Sequence, residues 1–394
     1  MADKCSRAHI ALLMMVKNES KRIVNSIGSV IGTVQSVVIY DTGSTDDTVN
    51  IIQEFCLKNK LPLRLKTGIF QDFSSSRNVS LDFADTFPEI DYLLLLDGND
   101  ELKGGNILQM AANEFLDKNN SGFMLCQEWK NIDTTITKYF NLRFLKTRSG
   151  WRYKGSVHEY LTNIINPPEY GVRLDDKIVL FQDRKYDSEK SLGRYAKDKE
   201  LLLKDYEDNP SDGRTLFYLA QTYGCLDDVE NCYEFYKKRV QVGGFPEEIF
   251  HSYLRLGEVG TRFGKPWYII LDHYICAFEI LGRAEPLIKL VEYYRSQNMW
   301  KSAYMFAKKA CELEYPKSAV LFVDRRLYDY GRWHLLGIVA FYDEKYVEGA
   351  EACRMAITTG PDFEIDKSNL RFYVEKIDQN KKKKNKKKKK HNKK

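Results

Sequence analysis

The sequence predicts an α/β domain with a mostly parallel sheet, followed by an all-α domain of helical repeats. Over the first hundred residues, short apolar runs alternate with stretches of helical pattern, as expected of a sheet covered by helices on both faces. From about Ser188 the pattern is helical only. A length of 394 residues also suits two domains. We therefore predict domains over residues 1–187 and 188–378 and a disordered lysine-rich tail over residues 379–394.

The predicted elements of the first domain follow from short apolar runs and from turn and cap residues. The strands are His9–Val16, Ser36–Tyr40, Leu63–Leu65 and Tyr92–Leu96. Three helices are predicted. The first covers about Ser20–Ile31, the second is capped by Thr45–Asp47 and ends near Asn59, and the third covers Ser74–Phe83. Polar clusters follow three of the strands, at 17–19, 41–46 and 97–100. Ligands bind at the carboxyl ends of parallel strands, so we expect the three clusters to meet.

The second domain shows self-similarity at tetratricopeptide spacing. Two sets of six residues have the same spacing between their members. The first set is Leu216, Leu219, Ala220, Tyr223, Cys232 and Tyr236, and the second is Leu287, Leu290, Val291, Tyr294, Ala303 and Ala307. A degenerate unit fits between these sets (Phe250–Leu281), and another follows them (His334–Ile357). Such units bury their apolar faces only by stacking on one another. The pattern therefore predicts antiparallel helix pairs that stack in sequence.

Charge and cysteine usage exclude several classes of protein. The net charge of +6 comes from the tail, because residues 381–394 contain eleven of the 61 basic residues. The remaining 50 basic residues are fewer than the 55 acidic residues of the chain. Such a lysine run is solvated and self-repelling, so we do not expect nucleic acid binding apart from nonspecific tail contacts. No apolar run is long enough for a membrane span. The eight scattered cysteines and the absence of a signal-peptide pattern favour a soluble cytoplasmic protein.

Two of the strand-end clusters suit a nucleotide and a cation. Asp97 and Asp100 follow a buried strand, and oxygen ligands of this kind suit Mg²⁺ or Mn²⁺ beside a diphosphate. A solvated turn is the structural alternative. Asp41, followed by a glycine turn and hydroxyl residues, can accept hydrogen bonds from a ribose or a base. Its structural alternative is helix capping by Thr45 or Asp46, and the two roles do not exclude each other.

Four ordered segments resemble family 2 glycosyltransferases with the GT-A fold. They are VKNES (16–20), VVIYDTGSTDDT (37–48), DFSSSRNVSL (72–81) and LLLLDGNDEL (93–102), and a later Val157-His158-Glu159 completes the pattern. The chain resembles most the branch that joins this domain to tetratricopeptide repeats and includes the sublancin-type peptide S-glycosyltransferases. The resemblance implies a Rossmann-like N-terminal domain that binds a nucleotide-sugar.

The resemblance also implies roles for individual residues. Val16, Asn18, Glu19 and Asp41 would hold the nucleoside, Arg77 and Asn78 would lie near the ribose and diphosphate, and Asp97 would reach the metal and the donor. Asn99 stands where the motif has a second acid, so a neutral oxygen replaces a charge and metal affinity should fall. The metal ligands would be Asp97, Asn99 and His158.

The adjacent residues His158 and Glu159 suit a metal or diphosphate ligand and a general base. A pair that only fixes a loop is the structural alternative, and Asp100 is the second candidate for the base. Trp151 and Tyr153 suit stacking on a sugar ring, with core packing as the alternative for at least one of them.

The expected activity is inverting, divalent-metal-assisted transfer of a hexosyl or N-acetylhexosaminyl group from a nucleotide-diphosphate sugar, UDP-linked by preference. The acceptor would be a protein, peptide or glycan, and the repeats leave self-association open. The alternative from another class is a non-catalytic repeat scaffold with a degenerate nucleotide-binding domain, which Asn99 favours. A nucleotidyltransferase is less favoured, because the sequence has no glycine-rich phosphate loop with a lysine.

Overall fold

The computed structural model describes residues 7–130, 136–167, 171–182, 191–361 and 364–391. The chain divides into two compact units, Met1–Asp208 and Asn209–Lys394. The predicted boundary between residues 187 and 188 falls in the segment 183–190, which lies outside the described residues. None of the helices described is both long enough and apolar enough to cross a membrane.

The first unit contains eleven strands and five helices in its described residues. The strands are β1 (Ile10–Val16), β2 (Ser36–Asp41), β3 (Leu63–Thr67), β4 (Tyr92–Leu95), β5 (Asp100–Lys103), β6 (Gly122–Lys130), β7 (Ile136–Lys146), β8 (Trp151–Lys154), β9 (Tyr160–Asn163), β10 (Val172–Arg173) and β11 (Val179–Gln182). The helices are α1 (Ile23–Ser29), α2 (Thr48–Lys58), α3 (Phe73–Asp85), α4 (Gly105–Phe115) and α5 (Ser191–Asp208). Every strand and helix predicted for the first hundred residues is present.

Nine of these strands form one mixed sheet, in the order β3-β2-β1-β4-β7-β6-β11-β5 with β10 beside β6. The half made of β1 to β4 is parallel. Strand β7 then pairs antiparallel with both β4 and β6, and β8 and β9 form a separate hairpin. The predicted α/β fold with a mostly parallel sheet is confirmed. Strands β2, β1 and β4 are neighbours, so their carboxyl ends lie at one edge.

Strand β1 is apolar throughout because both of its faces are covered. Leu12 packs in a core with Ile27 of α1 and Ile52 of α2. Leu13 faces the opposite way, into a second core with Leu81 of α3. Alternating side chains of a strand point to opposite faces. A continuous apolar run is therefore the expected signature of a strand between two helical layers.

The second unit is all-α in the part of the chain described. Its helices are α6 (Gly213–Cys225), α7 (Val229–Val242), α8 (Pro246–Arg262), α9 (Trp267–Leu281), α10 (Ala284–Ser296), α11 (Trp300–Glu312), α12 (Arg332–Tyr342), α13 (Tyr346–Thr359) and α14 (Glu364–His391), with a π-helical segment at Leu327–Gly331. Helices α6 to α13 pack as four consecutive pairs, which confirms the predicted repeat arrangement. The small residues Ala303 and Ala307 are fully buried where α11 packs in this core.

Helix α14 continues into the lysine-rich segment for which the sequence predicts disorder. Tyr373, near its start, is buried and donates a hydrogen bond to the carbonyl of Gly337. Lysine has a favourable intrinsic helix propensity, so a lysine run can prolong a helix that packed residues have begun. Residues 392–394 of the predicted tail lie outside the described residues.

Candidate functional site

The turn 97–100, between β4 and β5, is held in place by helix α1. Ser26 donates a side-chain hydrogen bond to the carbonyl of Gly98 at 2.9 Å, and Ser29 accepts one from the backbone of Leu102 at 2.9 Å. Gly98 lies against the side chain of Glu19, because a Cβ at Gly98 would be 2.7 Å from Cδ of Glu19. The turn after β4 and the segment after β1 therefore touch, as the strand order requires.

Arg77 and Arg143 hold the carboxylate of Asp97 between them. Arg77 reaches Oδ1 at 2.7 Å, and Arg143 reaches Oδ2 at 3.0 Å. The Asp97 side chain is 26% exposed, and both arginine side chains are more deeply buried. Burial opposes the ionisation of Asp97, but the two guanidinium groups outweigh it and hold the pKa of Asp97 below its usual range. Asp97 is therefore an anion with both oxygens bound to cations.

Arg77 also connects Asp97 to Glu159. Its Nε donates to Oε1 of Glu159 at 2.7 Å, and its guanidinium lies over the ring of Tyr153, 5.4 Å from the centroid. Arg77 comes from helix α3, Asp97 from the end of β4, and Glu159 from the loop before β9. Three sequence segments predicted to belong to one site are thus joined by a single side chain.

Asp100 lies beneath Asp97 and is completely buried. Its Oδ2 accepts from the backbone of Asp97 at 3.0 Å and lies 3.9 Å from Arg143. Its Oδ1 has no hydrogen-bond partner among the described residues. Burial raises the pKa of Asp100 to about 6, although Arg143 opposes the shift. Because it is fully buried, Asp100 is poorly placed to reach an acceptor molecule.

Helix α5 fixes the loop that carries His158 and Glu159. Asp205 accepts from the hydroxyl of Ser156 at 2.6 Å and from its backbone nitrogen at 3.1 Å. The carbonyl of Ser156 accepts from the backbone of Phe73, at the start of α3, at 3.3 Å. His158 has a φ of 53°, a conformation that is uncommon outside glycine. Contacts from two helices therefore hold this loop in an unusual shape beside Arg77.

The predicted nucleoside-binding residues form a second cluster after β1 and β2. Asp41 accepts hydrogen bonds from the backbone of Gly43 at 3.1 Å and from the backbone and hydroxyl of Ser44. Oδ1 of Asn18 accepts from the backbone of Thr45 at 2.7 Å. These bonds tie the two strand-end segments together. Glu19 forms an ion pair with Arg22 at 3.1 Å, and Val16 is buried and paired with Asp41 in the sheet.

The other predicted site residues lie around this constellation, and their predicted roles stay predictions. Asn78 uses its side-chain amide on the backbone of Tyr153, donating at 2.9 Å and accepting at 2.7 Å, so it fixes β8 against α3. Asn99 is half-buried in the turn after β4, and His158 is exposed. Trp151 is buried and donates to the hydroxyl of Ser121 at 2.8 Å. Of the two aromatic residues considered for sugar stacking, Trp151 belongs to the core and Tyr153 is partly buried against the same core.

The predicted metal ligands do not form a cation site as they stand. Both oxygens of Asp97 accept from guanidinium groups, and these would have to withdraw before a cation could bind there. The described parts of the chain contain no group of three or more His, Cys, Asp or Glu side chains able to hold a metal ion. This arrangement does not fit a divalent cation, so no chemical step below is assigned to one. Metal assistance by Mn²⁺ or Mg²⁺ stays a prediction.

Sequence reasoning missed two residues of this site. Arg143 belongs to β7, which contains no family motif, and Asp205 belongs to a helix. Arg143 alternates with Leu142 and Phe144 in the sequence, and a lone arginine inside an alternating strand is a signal that could have been used. Its Nε has no hydrogen-bond partner among the residues that the structure describes. No comparable signal marks Asp205.

The comparisons with known proteins agree with the first unit of this fold. Residues 12–167 match the family model "Glycosyl transferase family 2". The match includes Arg77, Asp97, Arg143 and Glu159 and supports a glycosyltransferase. No curated protein sequence gives a significant match.

Solved structures with similarity to the chain include MamA and two structures whose descriptions name TPR proteins. The crystal structure of MamA has 16% identity and a TM-score of 0.35, with 44% of this chain and 92% of that chain covered. YrrB, a TPR protein, has 16% identity and a TM-score of 0.33, with 45% of this chain and 84% of that chain covered. The C-terminal part of a TPR repeat-containing protein from Cytophaga hutchinsonii has 13% identity and a TM-score of 0.36. The alignment covers 46% of this chain and 65% of that chain.

Proposed function

We propose that the first unit transfers a sugar, hexosyl or N-acetylhexosaminyl, from a nucleotide-diphosphate sugar to an acceptor with inversion at the anomeric carbon. The observation that carries the proposal is the Arg77 guanidinium held between Asp97 and Glu159, within the region that matches the glycosyltransferase family. A UDP-sugar is the proposed donor. The acceptor is a peptide, a protein or a glycan.

In the proposed reaction, an acceptor hydroxyl or thiol attacks the anomeric carbon as its bond to the diphosphate oxygen breaks. The proton of the acceptor passes to Glu159. Arg77 contacts Oε1 of Glu159, so the proton would be accepted at Oε2. The charge that develops on the leaving diphosphate is stabilised by Arg77 and Arg143, since buried cations stabilise charge more strongly than solvated ones.

This scheme requires Arg77 to exchange partners when the donor binds. When the diphosphate attracts Arg77, the Glu159 carboxylate is released from this ion pair and can face the acceptor. Burial raises the pKa of Asp100 to about 6, but the Asp100 side chain is fully buried. Glu159 is therefore the preferred base.

Incubation with a panel of nucleotide sugars, with and without Mn²⁺, tests the proposal through release of nucleoside diphosphate. Wild-type protein should release it from at least one donor, and Glu159→Gln protein should release much less. If no donor of the panel is turned over or bound, the chain is better explained as a repeat scaffold. That alternative is not favoured, since the charged constellation around Arg77 is complete.

We further propose that the reaction is cytoplasmic. Six of the cysteines that the structure describes form no disulfide there, and three of these six are buried, namely Cys56, Cys232 and Cys353. Burial raises the pKa of the Cys232 and Cys353 thiols to about 12, so these thiols are unreactive. Unpaired cysteines are typical of a reducing compartment. Self-association through the repeats stays an alternative role for the second unit.

A further inference from the structure

The second unit contains one connection that is much longer than its others. Residues 313–324 join α11 to the π-helical segment, whereas α6 and α7, α8 and α9, and α10 and α11 are joined by three or four residues. Most helix connections in compact domains are short, and long ones without secondary structure usually have a function. We call residues 319–322, in the middle of this connection, the strap.

The strap is held by its main chain. The carboxylate of Glu247 accepts from the backbone nitrogen of Val320 at 2.9 Å and from that of Leu321 at 2.5 Å. Arg283 donates to the carbonyl of Phe322 at 2.7 Å and to that of Leu321 at 3.5 Å. Nε2 of His251 also lies 3.4 Å from the Leu321 carbonyl. Two successive N–H groups on one carboxylate form an anion-binding turn.

One side chain of the strap also takes part in this attachment, because the ring of Phe322 packs edge-to-face on the ring of His251, with 5.1 Å between the centroids. Val320 is 61% exposed and Phe322 is 59% exposed. Phe322 also has a φ of 23°, which is unfavourable for a bulky residue. Apolar anchoring comes from outside the strap, at Tyr315 and Val323, which pack against the core. The strap therefore resembles a bound peptide more than a packed loop.

The groups that hold the strap are buried in its presence, and Arg283 is also held by contacts outside the strap. Glu247, His251 and Arg283 are all at least nine-tenths buried. Arg283 forms a buried ion pair with Glu285, which accepts from the hydroxyl of Tyr328 at 2.9 Å. Burial, together with the positive charge of Arg283, lowers the pKa of His251 to about 3, so His251 is neutral and can donate from Nε2. The site thus offers a carboxylate, a guanidinium and an imidazole in fixed positions.

We propose that Glu247, His251 and Arg283 form a binding site for the main chain of a partner peptide, which the strap covers from within the same chain. The partner is a peptide that adopts a turn with two successive N–H groups on Glu247 and two carbonyls on Arg283. It binds when the strap leaves. Recognition uses main-chain groups, and an aromatic side chain at the position of Phe322 would add a contact with His251. This inference does not depend on the proposed transfer reaction.

Peptide binding to an opened variant tests the proposal. Val320→Pro with Leu321→Pro removes both N–H groups that Glu247 binds and should free the site. The probe is a labelled synthetic peptide with the sequence of residues 315–324. It should bind the opened variant saturably and the wild type at least about 10-fold more weakly, because the site in the wild type is occupied. The same peptide N-methylated at the position of Leu321 should lose binding, as should the opened variant with Glu247→Gln.

Glu258→Gln, on the same helix but in exposed ion pairs with Arg255 and Lys289, is the matched control and should bind normally. Equal binding of the N-methylated peptide, or none by a folded opened variant, would overturn the proposal. Hydrogen exchange on the wild type decides the matter if the opened variant does not fold. The amides of Val320 and Leu321 should exchange at least about 10-fold faster than those of α8, by local opening. Exchange only through global unfolding would show that the strap is a structural element.

Discussion

Arg77 donates from Nε to Oε1 of Glu159 at 2.7 Å, across 82 residues of sequence. The predicted general base is therefore an ion-pair partner of the residue predicted to lie near the diphosphate. This relationship couples donor binding to the contacts of Glu159, because the guanidinium that pairs with Glu159 is also the one proposed to bind the diphosphate. It also means that substitutions of either residue change the charge balance around Asp97.

Glu159→Gln should leave donor binding intact or make it tighter, since Arg77 no longer has to leave a charged partner, and should lower the rate of transfer by about 10²–10⁴-fold, the usual contribution of a general base. Donor affinity by calorimetry and turnover by nucleoside diphosphate release measure the two effects separately. Glu114→Gln is the control, since Glu114 forms only an exposed ion pair with Lys118. Near-normal turnover of the Glu159 variant would move the base to another residue, with Asp100 as the next candidate.

Asp97→Ala should lower both activity and stability. Removal of this carboxylate leaves the guanidinium groups of Arg77 and Arg143 without their shared anion, and both side chains are mostly buried. Breaking a buried ion pair on one side costs about 3–5 kcal/mol. Urea unfolding should show this loss, and Arg143→Met added to Asp97→Ala should recover part of it. An unchanged free energy of unfolding in the single variant would show that the two ion pairs contribute no net stability.

Asn99→Asp should tighten the binding of Mn²⁺ in the presence of a nucleoside diphosphate. The substitution restores a charged oxygen ligand where the family pattern has one, and carboxylates are the preferred ligands of hard cations. Calorimetric titration of Mn²⁺ into both proteins gives the comparison, with Asn106→Asp, at the start of α4, as a control for added charge. Weaker or unchanged affinity would remove Asn99 from the ligand set.

Asp205→Ala should lower turnover while leaving the melting temperature close to that of the wild type. Asp205 holds Ser156 by two hydrogen bonds, and this contact positions the loop that carries Glu159. Ser156→Ala removes one of the two bonds and should have a smaller effect. The two substitutions together should cost no more than Asp205→Ala alone, since they remove one interaction. Additive losses would mean that Asp205 acts on the site by another route.

His251 should make the second unit sensitive to acid. Its pKa is about 3 in the folded protein, against an ordinary value near 6.5, because of burial and Arg283. The unfolded chain therefore binds an extra proton below pH 6.5, and stability falls as the pH drops from 6.5 towards 3. At pH 5 the loss is about 2 kcal/mol. Urea unfolding at pH 7 and pH 5 should show a smaller pH effect for His251→Gln than for the wild type, whereas equal effects would exclude His251 as a source of the sensitivity.

The sequence was most informative where a side chain's neighbours are close in the chain or fixed by periodicity. Strand β1 was predictable because burial on both faces leaves an unbroken apolar run. The position of Asp97 at a strand end was likewise predictable, but its partners were not. Arg143 reaches it from β7, 46 residues later, and the antiparallel placement of β7 beside β4 depends on sheet pairing that no local pattern specifies. The strap was missed for the same reason, since its ligands come from α8 and from the residue before α10.

The two serine contacts of α1 have a thermodynamic consequence for donor binding. Ser26 and Ser29 attach the segment from Gly98 to Leu102 to a helix, so the order of this turn is established when the unit folds. Ordering a loop at the moment of association would subtract conformational entropy from the binding free energy. A ligand that meets Asp97 encounters a turn whose shape is already determined, and its affinity should depend on electrostatic complementarity with little contribution from loop closure.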